Sequence, residues 1–351
     1  MKELASFQNQ IKHNCNISDS QYWGYLSLCN MLLRLRELYF HEHGMRPWDK
    51  VEKGAVGDWI TGREKLWETL EEEKLNTLDL AGKEHDPFAL EEINKSLDSE
   101  GLIYGAGYGI LKKPNFFLGR LQKKEKLADL DVYYVHQETC RDLTPHVAMH
   151  QNGSIYIRMD IYENYLYQKF MELKKEFHAD TLNRGFEYYG MRANEVPGNL
   201  SVAFNAMARE LVPILLWHEQ GEASEAPVEQ DLWLDMLKNA DNKLTEIRLR
   251  AVKDVLADNC ESGTLKNIIE NREKGMLYFH LSLIDESRKY AFGEVHNELG
   301  NFEKNEDWPL LDAMRIKLNQ RALQIRNQAL ELYRQSKDIK PVAAYMQQVF
   351  S

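Results

Sequence analysis

The chain has 351 residues, 43% hydrophobic and 28% charged, with 44 Lys+Arg against 55 Asp+Glu and a formal net charge of −11. That length suits two domains or one large one, with apolar residues enough for a substantial core. The acidic balance excludes broad, charge-driven nucleic-acid binding, which needs a basic face to displace counterions.

The four cysteines, Cys15, Cys29, Cys140 and Cys260, are far apart and form no CxxC pair. This argues against a disulfide framework or a cysteine-based zinc site and fits a reducing compartment. Cys29, among apolar helix residues, reads as a buried core thiol. Met1 to Asn16 reads as a polar lead-in without a hydrophobic signal core. No run approaches the ~18 apolar residues of a membrane span. The expectation is a cytoplasmic protein with no membrane and no nucleic acid among its partners.

In chain order, Ser18, Asp19 or Ser20 reads as the cap of a helix from Tyr22 to about Phe40, stopped by Gly44 and Pro47. Near its end Glu37 and His41 are four apart and share a face, as one or two ligands, or second-layer groups, of a metal shared with another helix. The plainer reading pairs Glu37 with an arginine and sets His41 at the negative end of the helix dipole. Asp58 then opens a helix over Trp59 to Lys74 whose inward stripe is Trp59, Leu66, Trp67 and Leu70. Asp86-Pro87 marks the start of a short helix ending near Ser99 to Gly101.

The period then changes. Residues 102–109 and 115–121 read as strands around Lys112-Lys113-Pro114, and 131–136 as a third. Residues 147–150 and 154–158 flank Gln151-Asn152-Gly153, a strong hairpin signal. The Lys112, Lys113, Arg120, Lys123, Lys124 and Lys126 strip reads as a solvated hairpin edge. Gly105, Gly107 and Gly109 precede no helix start, so no nucleotide is expected; they let aromatic strands twist or bulge. His146 and His150 fall on an extended segment, on one sheet face. Arg141 and Arg158 are candidates for an anionic substrate, since guanidinium grips carboxylate or phosphate bidentately. Structural ion pairing is the competing reading.

Helical period returns at 161–177, 182–189 and about 199–220, where Pro213 predicts a kink or restart. Gly221 to Pro227 reads as a loop. Further helices follow at 232–237, 243–257, 265–299 (one or two), 308–335 and 342–350.

The third of these helices carries Leu-Leu-Trp-His-Glu-Gln-Gly-Glu-Ala over 215–223. His218 and Glu222 stand on one face, and Glu219 follows the first ligand position. The segment resembles the HExxH helix of zincins except at its last ligand. What that resemblance implies is His218 and Glu222 as ligands and Glu219 as the base for metal-bound water. Glu222 in place of histidine departs from the zinc-protease pattern. Downstream, His280 and Asp285 are five apart, and Glu210 lies eight before His218. A bundle site from Glu210, His218, Glu222, His280 and Asp285 holding zinc or iron is one geometry that facing helices allow. Against it stands a polar helix end with capping carboxylates and a half-buried histidine.

Four stretches together resemble an uncharacterised bacterial (proteobacterial-type) protein family of unassigned function. They are residues 36–42, 56–68 with its two tryptophans, 117–121 and 216–222. The resemblance spans most of the chain and implies a cytoplasmic protein without a known mechanism.

The resulting expectation is an α+β, mainly α protein: a multi-helix bundle with a small antiparallel sheet inserted near residues 102–159. Its regions are 1–101 (helical), 102–159 (β) and 160–351 (helical bundle). Functionally it reads as a metal-dependent hydrolase or metalloenzyme on the HExxE helix. The alternative is a non-catalytic helical scaffold that docks a protein partner or forms a homo-oligomer.

Overall fold

The computed structural model describes residues 2–151, 153–173, 180–192, 195, 197–284, 286–293, 297 and 299–350. The chain is α+β and mainly α. It divides into two compact units, Met1–Tyr167 and Gln168–Ser351. The helical region expected over 1–101 and the β region expected over 102–159 lie together in the first.

The N-terminal unit begins with α1 (Lys2–Tyr22), where a polar lead-in was expected. Ser18, Asp19 and Ser20 therefore lie inside a helix and cap nothing downstream. A 3-10 turn (Trp23–Tyr25) separates it from α2 (Leu28–Glu42), whose cap is Ser27, accepting from the Asn30 N–H. Helix α3 (Ala55–Glu68) starts before Asp58; Trp67 and Leu70 are buried, but Leu66 is exposed. A small hairpin, β1 (Leu78–Leu80) with β2 (Lys83–His85), follows. Asp86 holds a turn by accepting from the Phe88 N–H, and α4 (Leu90–Leu97) begins only after it.

The sheet that follows has the order β3-β4-β5-β7-β6, from β3 (Leu102–Tyr108), β4 (Pro114–Leu127), β5 (Leu130–Arg141), β6 (Ala148–Gln151) and β7 (Ser154–Arg158). Its hairpins are antiparallel as their alternation predicts, while β5 and β7 pair in parallel. Gly105 lies where any β-carbon would meet the Phe117 ring at 2.1 Å. That glycine is a packing requirement. Phe7, Ile11 and Cys15 of α1 and Leu90, Ile93 and Leu97 of α4 share one core with Tyr104, Phe116, Leu118 and Cys140 of the sheet. Ile103, Phe117, Val135, Met149 and Tyr156 form another cluster.

Three side-chain amides each bond both backbone groups of one residue. Asn94 takes the N–H and C=O of Tyr104 at 2.8 and 2.9 Å. Gln10 does so for Asp79 (2.7 and 3.2 Å) and Asn14 for Asn76 (2.8 Å each). In Asn94→Ala the two Tyr104 groups lose their partner, at a cost of about 1–3 kcal/mol. The expected result is a lower urea midpoint at unchanged slope.

Charges are also buried in this unit. Lys113, expected at a solvated edge, is buried and reaches Asp19 at 2.9 Å and Asp142 at 3.2 Å. Asp19 also accepts from the Leu143 N–H (3.0 and 3.1 Å), and Asp142 from those of Thr144 (2.8 Å) and Phe116 (3.3 Å). Cys29 is exposed, the reverse of the core thiol expected, because it shares an outward face with Leu28 and Leu33 (67% and 57% exposed).

Helix α5 (Met159–Leu173) starts in the N-terminal unit and ends in the C-terminal one, which continues with α6 (Asp180–Tyr188), α7 (Leu200–Ala223), α8 (Pro227–Lys238), α9 (Lys243–Asn259), α10 (Thr264–Asn271), α11 (Lys274–Leu283), α12 (Glu286–Phe292), α13 (Leu299–Asn305), α14 (Trp308–Ser336) and α15 (Ile339–Val349). Phe170, Phe186, Phe204 and Phe279 make successive edge-to-face contacts, with ring centroids 5.0–5.8 Å apart. Helix α7 runs unbroken through Pro213 and past Gly221, where a restart and then a loop were expected. By length and composition alone it is long and apolar enough to cross a membrane, although Arg209 and Glu210 interrupt its apolar run. Here it packs on α9, α10 and α11 and buries Phe204, Met207 and Leu211.

Candidate metal centre

Helix α7 starts on Asn199, whose side chain accepts from the Val202 N–H, and its apolar face carries it to a polar last turn. Helix α9 is capped by Asn242, which accepts from the Thr245 N–H, and buries Leu249, Val252 and Val255. Asp254 and Asp258 lie four apart on α9, as His218 and Glu222 do on α7, so each helix offers two polar groups from one face.

Gly221 brings these faces together. A β-carbon on it would lie 2.1 Å from the Ala257 carbonyl oxygen and 3.0 Å from the Ala257 Cα. The backbones of α7 and α9 thus touch at a point only glycine permits.

Around that crossing, His218 Nδ1 and Asp258 Oδ1 are 2.8 Å apart. One donor atom each from His218, Glu222 and Asp254 lies within 4.8 Å of the others. Arg288 of α12 approaches Asp258 at 3.3 Å and Asp254 at 3.8 Å. His280 Nε2 of α11 is 4.0 Å from Asp258 Oδ2. His218 is part-exposed, whereas Asp258 and His280 are buried.

The electrostatics follow from this packing. Burial alone would push the His218 imidazole down, but the Asp258 charge and hydrogen bond, with Glu222 and Glu219 adding, push it up to about 10. Burial would raise Asp258; instead His280, His218 and Arg288 hold it well below the carboxylate range. Asp254 is left at about 6, because its burial outweighs Arg288 and His218. Burial lowers His280. With Nδ1 held by Asp258, Nε2 is the nitrogen His218 has left for a metal, and metal there replaces a ring proton.

Of the residues singled out from sequence, the structure brings together His218, Glu222 and, through Asp258, His280. Glu219 is buried on the same turn, near enough for its charge to act on His218. Glu210 lies exposed two turns back, and its charge acts on Tyr189. Asp285 falls outside the described residues. Sequence reasoning missed Asp254, Asp258 and Arg288. The Asp-x-x-x-Asp spacing puts the first two on one helical face, but the same spacing is ordinary for solvated aspartates on a charged helix.

The remaining candidates sit in the N-terminal unit. Glu37 pairs with Arg34 at 2.9 Å, and His41 is lowered to about 3 by burial and by Arg141 and Arg158. Arg158 is buried, bidentate on Glu138 at 2.5 and 2.7 Å, and stacks 4.3 Å over Phe117. Arg141 is buried and donates to the backbone oxygens of Glu37 (3.2 Å) and Asp142 (3.4 Å). Both arginines are thus committed to internal partners. A second constellation, unmarked by the sequence reading, joins His136, Asp160 and Glu163. There His136 Nδ1 already meets Asp160 at 2.9 Å, and Arg46 lies 3.7 and 3.6 Å from the two carboxylates. It is a closed ion network.

Two family models match: the N-terminal domain of DUF6866, a family of unknown function, over residues 6–158, and the C-terminal domain of the same family over 163–351. No curated protein and no solved structure matches the chain.

Proposed function

This chain belongs to DUF6866, a family of unknown function, and we propose that its C-terminal domain is a metal-dependent hydrolase centred on His218, Glu222 and Asp254. The observation that carries the reading is the 2.8 Å Asp258–His218 pair beside two further donors within 4.8 Å. A carboxylate on the far ring nitrogen is how metal-binding histidines are oriented.

One imidazole and two carboxylates suit zinc or iron. When bound, such an ion supplies a Lewis acid and a water of lowered pKa. The chain's own groups do the rest. Asp258 fixes the ring of His218, Arg288 and His280 keep Asp258 ionised, and Glu219, next to His218 in the chain, would be the group to take a proton from such a water. The thiols, none of them paired, support a cytoplasmic location. The alternative of a docking scaffold has in its favour the exposed Leu28–Leu33 face of α2, but that face points to no particular partner.

Elemental analysis of untagged protein tests the proposal, with wild type beside His218→Ala and Asp258→Asn. Near-stoichiometric zinc or iron in wild type is expected, lost in His218→Ala. Affinity should fall about 10–100-fold in Asp258→Asn, as for other outer-layer partners. Metal absent from all three, with far-UV spectra unchanged, would falsify the reading.

A further inference from the structure

Helix α12 lies against α9 and buries Ala291 and Phe292. Phe292 meets the Phe350 ring edge-on at 6.2 Å, and the Arg321 guanidinium stands 5.4 Å from its centroid. Arg288, one turn earlier, shares the face of Phe292. That face meets the two aspartates of α9. A single nitrogen, Arg288 Nη1, lies 3.3 Å from Asp258 Oδ2 and 3.8 Å from Asp254 Oδ2.

Which oxygens are used matters for the centre. Asp258 meets His218 Nδ1 through Oδ1 at 2.8 Å and accepts from Arg288 through Oδ2, so its carboxylate is held at both oxygens. Asp254, paired through Oδ2, keeps its other oxygen for an ion. One guanidinium thus sets two arms of the site: the carboxylate that orients His218, and a ligand carboxylate. Its charge acts in the opposite sense. A fixed positive charge beside the site opposes a divalent ion, so by Coulomb's law alone metal would bind better without Arg288. Position and charge therefore give opposite signs for its removal.

We propose that Arg288 is a positioning residue of the centre, and that through it the seating of α12 on α9 regulates metal affinity. This rests on the metal reading above. Outer partners that orient ligands are worth about 10–100-fold in affinity, and here that gain outweighs the repulsion. Linkage makes the coupling reciprocal: an ion that fixes Asp254 and Asp258 also holds α12 in place.

The test titrates metal-depleted full chain with zinc and, separately, with ferrous iron, and follows amide hydrogen exchange over residues 286–292 with and without the ion. Arg288→Gln should weaken metal binding about tenfold or more. Arg288→Lys, which keeps the cation but not the guanidinium, should fall between that variant and wild type. Metal should slow exchange over 286–292 in wild type and lose that effect in Arg288→Gln. Binding by Arg288→Gln as tight as wild type or tighter overturns the inference, as does exchange over 286–292 that metal leaves unmoved in wild type. Should Arg288→Gln lose its far-UV helical signal, Arg288→Lys and the wild-type exchange decide. Wild type that takes up neither ion removes the metal reading and this inference together; wild type that binds metal no better than the variants removes the inference alone.

Discussion

Lys113→Met lowers the unfolding free energy of the chain by about 3–5 kcal/mol, because it strands two buried carboxylates around a vacated cation site. By the usual scaling for units of this size, thermal unfolding moves down by roughly 10 °C. Asp19 and Asp142 are both nearly inaccessible to solvent and both lean on the one ammonium. Burial alone would push the Asp142 carboxyl up and the Lys113 ammonium down; each instead holds the other charged. The depressed Asp142 contributes stability that is present above the ordinary carboxylate pKa and is lost as pH falls below it. Without Lys113 the sign reverses. Asp142 then rises above its unfolded value, Asp19, which burial already holds at about 6, rises further, the folded state binds the extra protons, and the variant gains relative to wild type as pH falls. The deficit is therefore largest near neutrality and narrows towards pH 4. A deficit independent of pH would mean that lost packing of the lysine stem, not stranded charge, is responsible. Adding Asp142→Asn to Lys113→Met should return part of the loss at neutral pH.

Gly221→Ala is the second large effect. One methyl group placed 2.1 Å from a backbone oxygen cannot be accommodated by a rotamer change, so α7 and α9 must separate or bend. Overpacking of this kind costs about 3 kcal/mol. The displacement falls between the residues that form the centre, so the Asp258–His218 bond lengthens and metal uptake falls with stability. Gly62 is the control: it lies within α3 with nothing within 4 Å of its notional β-carbon. There alanine should stabilise by about 0.4–1 kcal/mol. Calorimetry and elemental analysis of the two variants decide the matter. A Gly221→Ala protein as stable and as metal-rich as wild type would remove the crossing from the account.

Local periodicity made the sheet and most of the later helices readable. The 151–154 hairpin and the strands before it announce themselves by alternation and turn residues, and α7 by its apolar stripe. Tertiary partners hid the rest. Asn14 and Asn16 read as part of a polar lead-in and Ser18, Asp19 and Ser20 as cap candidates, yet all are buried, and distant segments answer three of them: residue 76 for Asn14, Pro114 for Ser18, and Lys113 with residue 143 for Asp19. The candidate centre was half legible for the same reason. His218 and Glu222 share a helix and show in the spacing, whereas Asp254 and Asp258 join them only through the glycine-mediated crossing. Nothing local distinguishes those two aspartates from solvated ones. Lys113 was placed in solvent because lysine usually is, and only the fold supplies its two acids.

The doubly bonded amide of Asn94 bears on how this chain behaves among its own copies. Strand β3 ends the sheet with five consecutive buried residues, Ile103–Gly107, and an apolar sheet border of that length is where a foreign strand would add. A side chain that holds both backbone groups of Tyr104 stands where that strand would dock, and an incoming chain must first displace it. One asparagine on a neighbouring helix therefore guards the border against chain-to-chain growth, a role that solubility at high concentration would reveal before any measure of folding did.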